Sequence, residues 1–418
     1  MIRQPLLKKL DAYLVYLIFA GSSSIAFTLV FAVNLVYHVE RVGLSPFQLV
    51  LVGTVLEVTV FLFEIPTGVI ADVYSRRLSV ILGSTLCGIG FVIEGLFPSF
   101  GAVLTAQIVW GIGATFHSGA VDAWVADEIG TERAGRAYLR AAQLGSALTI
   151  VAQVLGILLG SVSLQLAIIV GGLLNIGIGL FLLAFMPEDG YTPTPRTERT
   201  TFNTLLNGFT AGRRVIQGRP LLVTILLLAF VLGAATESYD RLSTFHLLES
   251  FTLPDVFQPV VWIGLISLTG SLIGVPFMEF AARRLNMDSH TAVTRTLSLM
   301  NLLMILGVLA FAFAPNFGVA AVVVVFIGIT RGLNMPLRSA WVNQNVEPHV
   351  RATVMSITNQ SDALGQIAGG PAIGYLGNVA GVRAALAAGA LLMTPGIWLY
   401  QRARGQGAPV AGEVQDIA

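Results

Sequence analysis

The sequence predicts an all-α membrane protein with twelve transmembrane helices in two six-helix, pseudo-symmetric bundles. Three observations predict it. Of 418 residues, 55% are hydrophobic and 11% charged, with a mean hydropathy of +0.79. An ordinary soluble domain carries about 25% charged residues, so a soluble chain this apolar could not cover its own surface. The apolar residues also fall into runs of the length that crosses a bilayer, about 20 residues. Finally, arginines recur in every second loop between those runs.

In order, the runs are 13–37, 47–71, 78–97, 102–126, 139–160 and 164–186. A polar stretch rich in Pro, Thr and Arg occupies 187–219, and six further runs follow at 220–247, 256–281, 292–314, 317–342, 352–376 and 382–400. The chain is therefore expected to divide into an N-terminal bundle (1–186), a cytoplasmic linker (187–219), a C-terminal bundle (220–400) and a polar cytoplasmic tail (401–418). The first run follows Arg3, Lys8 and Lys9 but is too long for the roughly 7–15-residue core of a cleaved signal peptide. It reads as a first span. Within the linker, 201–219 sets Phe202, Leu205, Leu206 and Phe209 against Arg213 and Arg214, the pattern of a helix lying on the membrane surface.

Orientation follows from the loops. Arg76, Arg77, Arg133, Arg136, Arg196, Arg199, Arg213, Arg214, Arg219, Arg283, Arg284 and Arg351 lie after the even-numbered spans. The alternate loops hold little beyond Glu40, Arg41, Glu249 and Asp255. Positive loops face the cytoplasm, which puts both termini there. A net charge of +1 gives no reason to expect a nucleic-acid partner. The single cysteine, Cys87, excludes an internal disulfide and is expected to pack.

The two halves repeat one another. Asp72-x3-Arg76-Arg77 ends span 2, and Glu279-x3-Arg283-Arg284 ends span 8. Span 4 closes on Ala123-Trp124-Val125-Ala126-Asp127, and span 10 on Ala340-Trp341-Val342-Asn343-Gln344. Arg136-Ala137 then corresponds to Arg351-Ala352. Three short matches in the same order read as internal repeats, as in transporters that rock around a central site.

The stretch Gly68-Val-Ile-Ala-Asp72-Val-Tyr-Ser-Arg76-Arg77, between spans 2 and 3 of two linked sixes, resembles the major facilitator superfamily, whose loop signature is Gly-x3-Asp-x3-Arg-Arg/Lys. Val73 stands where many members have a basic residue, and Ser75 where glycine is usual. The resemblance implies a cytoplasmic latch in which the Asp72 carboxylate meets the start of span 11 and Arg76 meets an acid closing span 4, a position that Asp127 fills. Gly68, Arg77, Glu279, Arg283 and Arg284 complete this gate motif. More narrowly, Glu64-Ile-Pro-Thr-Gly68 with the segment 115–124 resembles bacterial drug-efflux members, including tetracycline and macrolide exporters. The antiporter glycine pattern of span 5 is only partly present, as Gly145, Gly156 and Gly160 without a proline. A comparable run, Gly365-x3-Gly369-Gly370-Pro371, sits in span 11.

Ionisable groups inside a membrane are costly and face a cavity or a partner. Glu57 and His117 fall near the midplane of spans 2 and 4. Glu64 shares a face with Glu57, and Asp122 lies nearer the cytoplasm. Span 7 carries Glu237 and Asp240 with Arg241, span 10 carries Arg331 and Arg338, and span 11 carries Asp362. Glu237 could simply neutralise Arg241 at i,i+4, and Asp362 could pair with Arg338 or Arg331. At least one of Glu57, Glu237, Asp240 and Asp362 is expected to exchange a proton during transport, since low dielectric favours the neutral form of a carboxylate. His117 is expected to pack through a hydrogen bond, with proton coupling as its alternative. Trp110, Phe116, Phe61 and Phe63 are candidates for an apolar cavity wall, and Asn34, Gln107, Gln143, Gln153, Asn334 and Gln366 for a polar one.

No enzyme motif is present. A phosphate-binding Gly-x4-Gly-Lys-Ser/Thr loop is missing, which argues against ATP drive within this chain, and no metal-ligand spacing or cofactor site is evident. The sequence therefore reads as a monomeric, proton-coupled secondary transporter exporting amphipathic drugs. Transport of a metabolite, sugar or siderophore, or a membrane sensor without transport, are its rivals.

Overall fold

The computed structural model describes residues 9–191, 218–285, 289–346 and 351–406. Nearly all of the expected amphipathic helix, with Arg196, Arg199, Arg213 and Arg214, lies outside the described residues, as does the tail beyond 406. Among the described residues the chain is helical, without strands. The first half comprises α1 (Ala12–Phe31), α2 (Asn34–Val36), a π-helical turn (Tyr37–Arg41), α3 (Pro46–Val73), α4 (Arg76–Leu96), α5 (Phe100–His117), α6 (Ala120–Ile129), α7 (Thr131–Val162) and α8 (Leu164–Phe185). The second comprises α9 (Pro220–Glu249), α10 (Pro259–Arg284), α11 (His290–Ala312), α12 (Phe317–Asn345), α13 (Arg351–Ala380), α14 (Val382–Leu392) and α15 (Thr394–Arg404).

Among the described residues, eleven helical stretches are long and apolar enough to span a membrane, counting α5 with α6 and α14 with α15 as single spans. The twelfth, α13, has the length at 30 residues. It is more polar because it carries Asn359, Gln360, Asp362 and Gln366. Backbone groups in lipid must be satisfied internally, and polar caps do this at the ends. Ser45 and Gln48 close a capping box ahead of Pro46, and Ser75, Ser99, Ser163, Ser289 and Asn316 cap their helices through side-chain oxygens.

The structure corrects several expected boundaries. Span 4 is broken: Gly119, at φ 70°, separates α5 from α6, in the left-handed region that a Cβ disfavours. Arg133 and Arg136 lie in the opening turns of α7 rather than in a loop. The last span divides at Met393, just before Pro395, and its helix runs on to Arg404 instead of ending at 400.

Two compact units emerge: Met1–Leu205 with Leu253–Leu268, and Leu206–Thr252 with Thr269–Ala418. The segment Leu253–Leu268 falls in the first because Val260 lies against Gly160, and Gly264 against Ile157. In that unit the span-5 glycines admit α1: Gly145 meets Ser24 and Gly156 meets Ala32. In the second unit α9 and α13 touch main chain to main chain. A methyl group on Gly233 would overlap the Asp362 carbonyl, and one on Gly365 the Phe230 carbonyl. Gly369 faces Ala234 in the same way. Small residues at membrane-helix interfaces allow this approach.

Candidate functional site

In the second unit, the residues projecting between α9, α11, α12 and α13 form a recess of about 250 Å³. Its polar wall is Thr236, Asp240, Asn301, Arg331, Asn334, Arg338, Asp362 and Gln366, and its apolar wall is Leu232, Met304, Met335 and Met393. Arg331 binds Asp240 through both terminal guanidinium nitrogens, Nη1 donating to Oδ1 and Nη2 to Oδ2, the latter at 2.9 Å. The same guanidinium lies 5.7 Å from the centroid of the Tyr239 ring. This pair is only partly enclosed, with 38% of the Arg331 side chain and 36% of Asp240 exposed. Gln366 donates to Asp362 Oδ2 at 2.9 Å, and Asn301 donates to the Met393 carbonyl at 3.0 Å. Methionine walls adapt to varied apolar shapes, whereas the charged and amide groups supply fixed polar points.

Glu237, 2% exposed, accepts from Arg241 Nε at 3.0 Å within α9. Neither side chain lines the recess. The expected alternatives for Asp362 are not formed. Among the described residues no ion pair joins it to Arg331 or Arg338; Arg331 is committed to Asp240, and Gln366, one turn along, reaches Asp362 instead.

The other coupling candidates belong to the first unit. Glu57 is half-buried on α3. Glu64 accepts from Ser118 Oγ at 2.6 Å. His117 Nε2 stands 3.0 Å from Ser84 Oγ and 3.2 Å from the Val80 carbonyl, and the Phe19 ring meets the imidazole edge-on. Asp122 is exposed, and its backbone carbonyl accepts from Tyr138. Trp110 joins an aromatic cluster with Phe31 and Phe91, and Gln143 is exposed.

The first half of the expected gate motif, the loop around Asp72, Arg76 and Arg77 with Asp127, forms one corner of this unit. Arg76 pairs with Asp127 and stacks over Tyr191, whose hydroxyl donates to the Asp72 carbonyl at 2.7 Å. Gly68 lies on α3 with open space where a Cβ would stand. Ser75, the departure from the usual glycine, caps α4 through Leu78 N–H and donates to Glu188. Glu188 also accepts from the Arg77 N–H at 2.9 Å, and Trp124 Nε1 donates to the Pro187 carbonyl. Residues 187–191, read from sequence as linker, are thus held against this corner. The repeated motif is simpler. Arg283 pairs at 2.8 Å with Glu279 on its own helix, both well exposed, and Arg284 lies over the Phe280 ring.

Sequence reasoning missed several polar groups. Asn301 and Thr236 lie in runs too apolar to draw notice. Glu94 and His38 make a buried ion-pair contact in the first unit's core, 2.7 Å apart and each 1% exposed. A glutamate inside the 78–97 run is a readable signal, whereas His38 falls one residue beyond the 13–37 run. Among the described residues no group of three His, Cys, Asp or Glu side chains could hold a metal ion.

The family model described as Major Facilitator Superfamily matches residues 12–359 and 260–415. The chain is 20% identical over 356 residues to the "Uncharacterized MFS-type transporter YxaM" of Bacillus subtilis (strain 168), covering 84% of this chain and 86% of that protein. Its fold is similar to solved structures of the nucleoside transporter NupG (TM-score 0.71, 15% identity, 94% of this chain and 99% of that chain). It is also similar to a bacterial homolog of the human lysosomal transporter Spinster in an inward-facing, unoccupied conformation (TM-score 0.73, 16% identity, 95% and 97%). The long apolar helices of the described residues, the filled loop signature and the family match over most of the chain agree: this chain is a multi-pass membrane transporter that belongs to the major facilitator superfamily.

Proposed function

We propose that this transporter exports amphipathic drugs of the tetracycline or macrolide class from the bacterial cytoplasm in exchange for protons. The observation that carries the reading is the recess, where Asp240, Arg331 and Asp362 face three methionines. An amphipathic molecule needs both walls: charge and amides for its polar edge, and yielding apolar surface for its body. Asp362 is held by a neutral amide rather than an arginine, so it is the carboxylate freest to trade a proton for cargo. In this scheme it protonates from outside, drug leaves, and the proton is discharged inside as the bundles 1–186 and 220–400 alternate. Glu57, Glu237 and Asp240 are further candidates for the exchange, with Glu64, His117 and Asp122 as lesser ones. The gate around Asp72, Arg76 and Asp127 closes the cytoplasmic side, and the protein works as a monomer with both termini in the cytoplasm.

Two measurements test this. Expression in a pump-deficient host is expected to raise resistance to at least one drug of these classes. In proteoliposomes an imposed pH gradient is expected to drive drug flux, and Asp362→Asn is expected to abolish the drive. No change of susceptibility across a broad panel would sink the drug reading. Gradient-driven flux surviving in Glu57→Gln, Glu237→Gln, Asp240→Asn and Asp362→Asn alike would sink the carboxylate assignment.

A second reading keeps the mechanism and changes the cargo to a hydrogen-bonding metabolite, such as the nucleosides named for one protein of similar fold. The amides Asn301, Asn334 and Gln366 in the recess favour it. Competition of labelled nucleoside uptake by unlabelled drug separates the two.

A further inference from the structure

The first unit holds a second polar cluster, remote from its gate corner. α4 runs from Arg76 to Leu96, so Glu94 stands at the opposite end from the Arg76–Asp127 pair, about 27 Å along the helix at 1.5 Å per residue. There His38 Nε2 lies 2.7 Å from Glu94 Oε1. Gln107 Nε2 donates to Glu94 Oε2 at 3.3 Å, and Trp110 Nε1 donates to Gln107 Oε1 at 3.0 Å. The Tyr37 hydroxyl donates to the Glu94 backbone carbonyl at 2.6 Å. His38 sits in the π-helical turn that ends the first span, a backbone feature frequent at functional sites. Its Nδ1 is buried and has no hydrogen-bond partner.

These contacts restrict where a proton can reside. One proton is shared between Nε2 and Oε1. Oε2 faces the amide N–H of Gln107, whose orientation is pinned because Trp110 can only donate. A second proton at Oε2 would set donor against donor. Nδ1 is the remaining position, and it is the one open atom of the cluster. With that proton the pair is neutral overall; without it, the pair carries one negative charge in an interior that excludes water, which is costly unless compensated. The elements packed around the pair offer little compensation. α5 brings Gln107 and Trp110, and α8 brings Gln165, which donates to the Gly95 carbonyl; none of these titrates. The π-turn adds Tyr37 and the exposed Glu40 and Arg41. α3, packed on α5, carries Glu57 and, farther toward the gate end, Glu64 and Asp72, and on α5 itself His117 lies against Ser84 toward that same end.

We propose that the His38–Glu94 pair is a proton-binding site of the N-terminal unit, exchanging its proton at His38 Nδ1 and separate from the recess between α9, α11, α12 and α13. The closed interior retains the proton. Release requires the π-turn to part from α4 and admit water, so proton exchange here is tied to movement of the end of the first span. The site is independent of the cargo, and stands whether or not the drug reading does.

The test uses the full-length protein with nitrogen-15-labelled histidine in lipid nanodiscs, titrated across the pH range in which it stays folded. The resonances of His38, one of five histidines, are assigned by their loss in His38→Gln. The expected result is a protonation change at Nδ1 in the wild type, which is lost or displaced in Glu94→Gln. His38 signals that stay constant throughout, or a change confined to Nε2, overturn the proposal, as does a transition that Glu94→Gln leaves in place. If Glu94→Gln does not fold, the wild-type titration alone decides. No cargo is involved, so failure here is read separately from failure of drug export.

Discussion

Arg331 on α12 holds both carboxylate oxygens of Asp240 on α9 while its guanidinium lies over the ring of Tyr239. A planar guanidinium fits a carboxylate in this two-point manner, and lysine cannot reproduce it. The pair is therefore directional as well as charged, and it ties two helices of the recess together.

Breaking this pair should be non-additive. Asp240→Asn and Arg331→Gln are each expected to reduce gradient-driven flux at least about tenfold, with the double variant no worse than the poorer single one; coupled neighbours show interaction energies of about 0.5–3 kcal/mol. Arg331→Lys should resemble Arg331→Gln rather than wild type. Proteoliposome flux measures all four. Additive losses would mean that the two residues act separately.

The Arg76–Asp127 pair is about a quarter exposed, at 20% and 29%, so its static contribution is small. Asp127→Asn is expected to cost about 0.2–1 kcal/mol of stability, as for exposed pairs, yet to alter transport turnover several-fold. The charge-reversed double variant Arg76→Asp with Asp127→Arg should recover part of the turnover. A loss of melting temperature proportionate to the loss of turnover would argue for scaffolding alone.

Glycines in the same fold should respond in opposite directions. Gly365→Ala is expected to destabilise strongly, because the new methyl group meets the Phe230 carbonyl, which cannot yield as a side chain would. Gly270, inside α10, has open space at that position, and Gly270→Ala should stabilise by roughly 0.5–1 kcal/mol. Thermal unfolding in one detergent compares them.

The break in span 4 makes a narrower prediction. Gly119→Ala should cost about 1–2 kcal/mol through its positive φ, and Gly119→Asn less, since asparagine tolerates that region. Equal costs would point to packing rather than backbone conformation, although nothing stands within 4 Å of the missing Cβ.

Much of the fold was legible because lipid imposes one demand, long apolar helices, and the sequence meets it run after run. The repeat was equally legible, since its marks are charges and a tryptophan at helix ends. Breaks inside spans were not. Gly119 and Met393 interrupt helices without interrupting hydrophobicity, and hydropathy is blind to backbone dihedrals. The candidate site was half visible. Asp240, Arg331 and Asp362 stood out as charges in apolar runs, but which arginine meets which carboxylate depends on helix rotation, which a weakly amphipathic membrane helix does not encode. Arg331 therefore went to Asp240 where a pair with Asp362 was also open. The His38–Glu94 contact escaped for a related reason. Its partners lie 56 positions apart, and only the π-turn swings His38 onto α4.

The close contact between α9 and α13 bears on how the recess does its work. Asp240 stands on one of these helices and Asp362 on the other, and Gly233, Gly365 and Gly369 let their main chains meet with no side chain between. The spacing of the two main chains that carry these carboxylates is thus set by direct backbone contact. A displacement that slid α9 along α13 would drive the Phe230 and Asp362 carbonyls into the neighbouring chain, so the two helices are built to move together and to carry Asp240 and Asp362 with them.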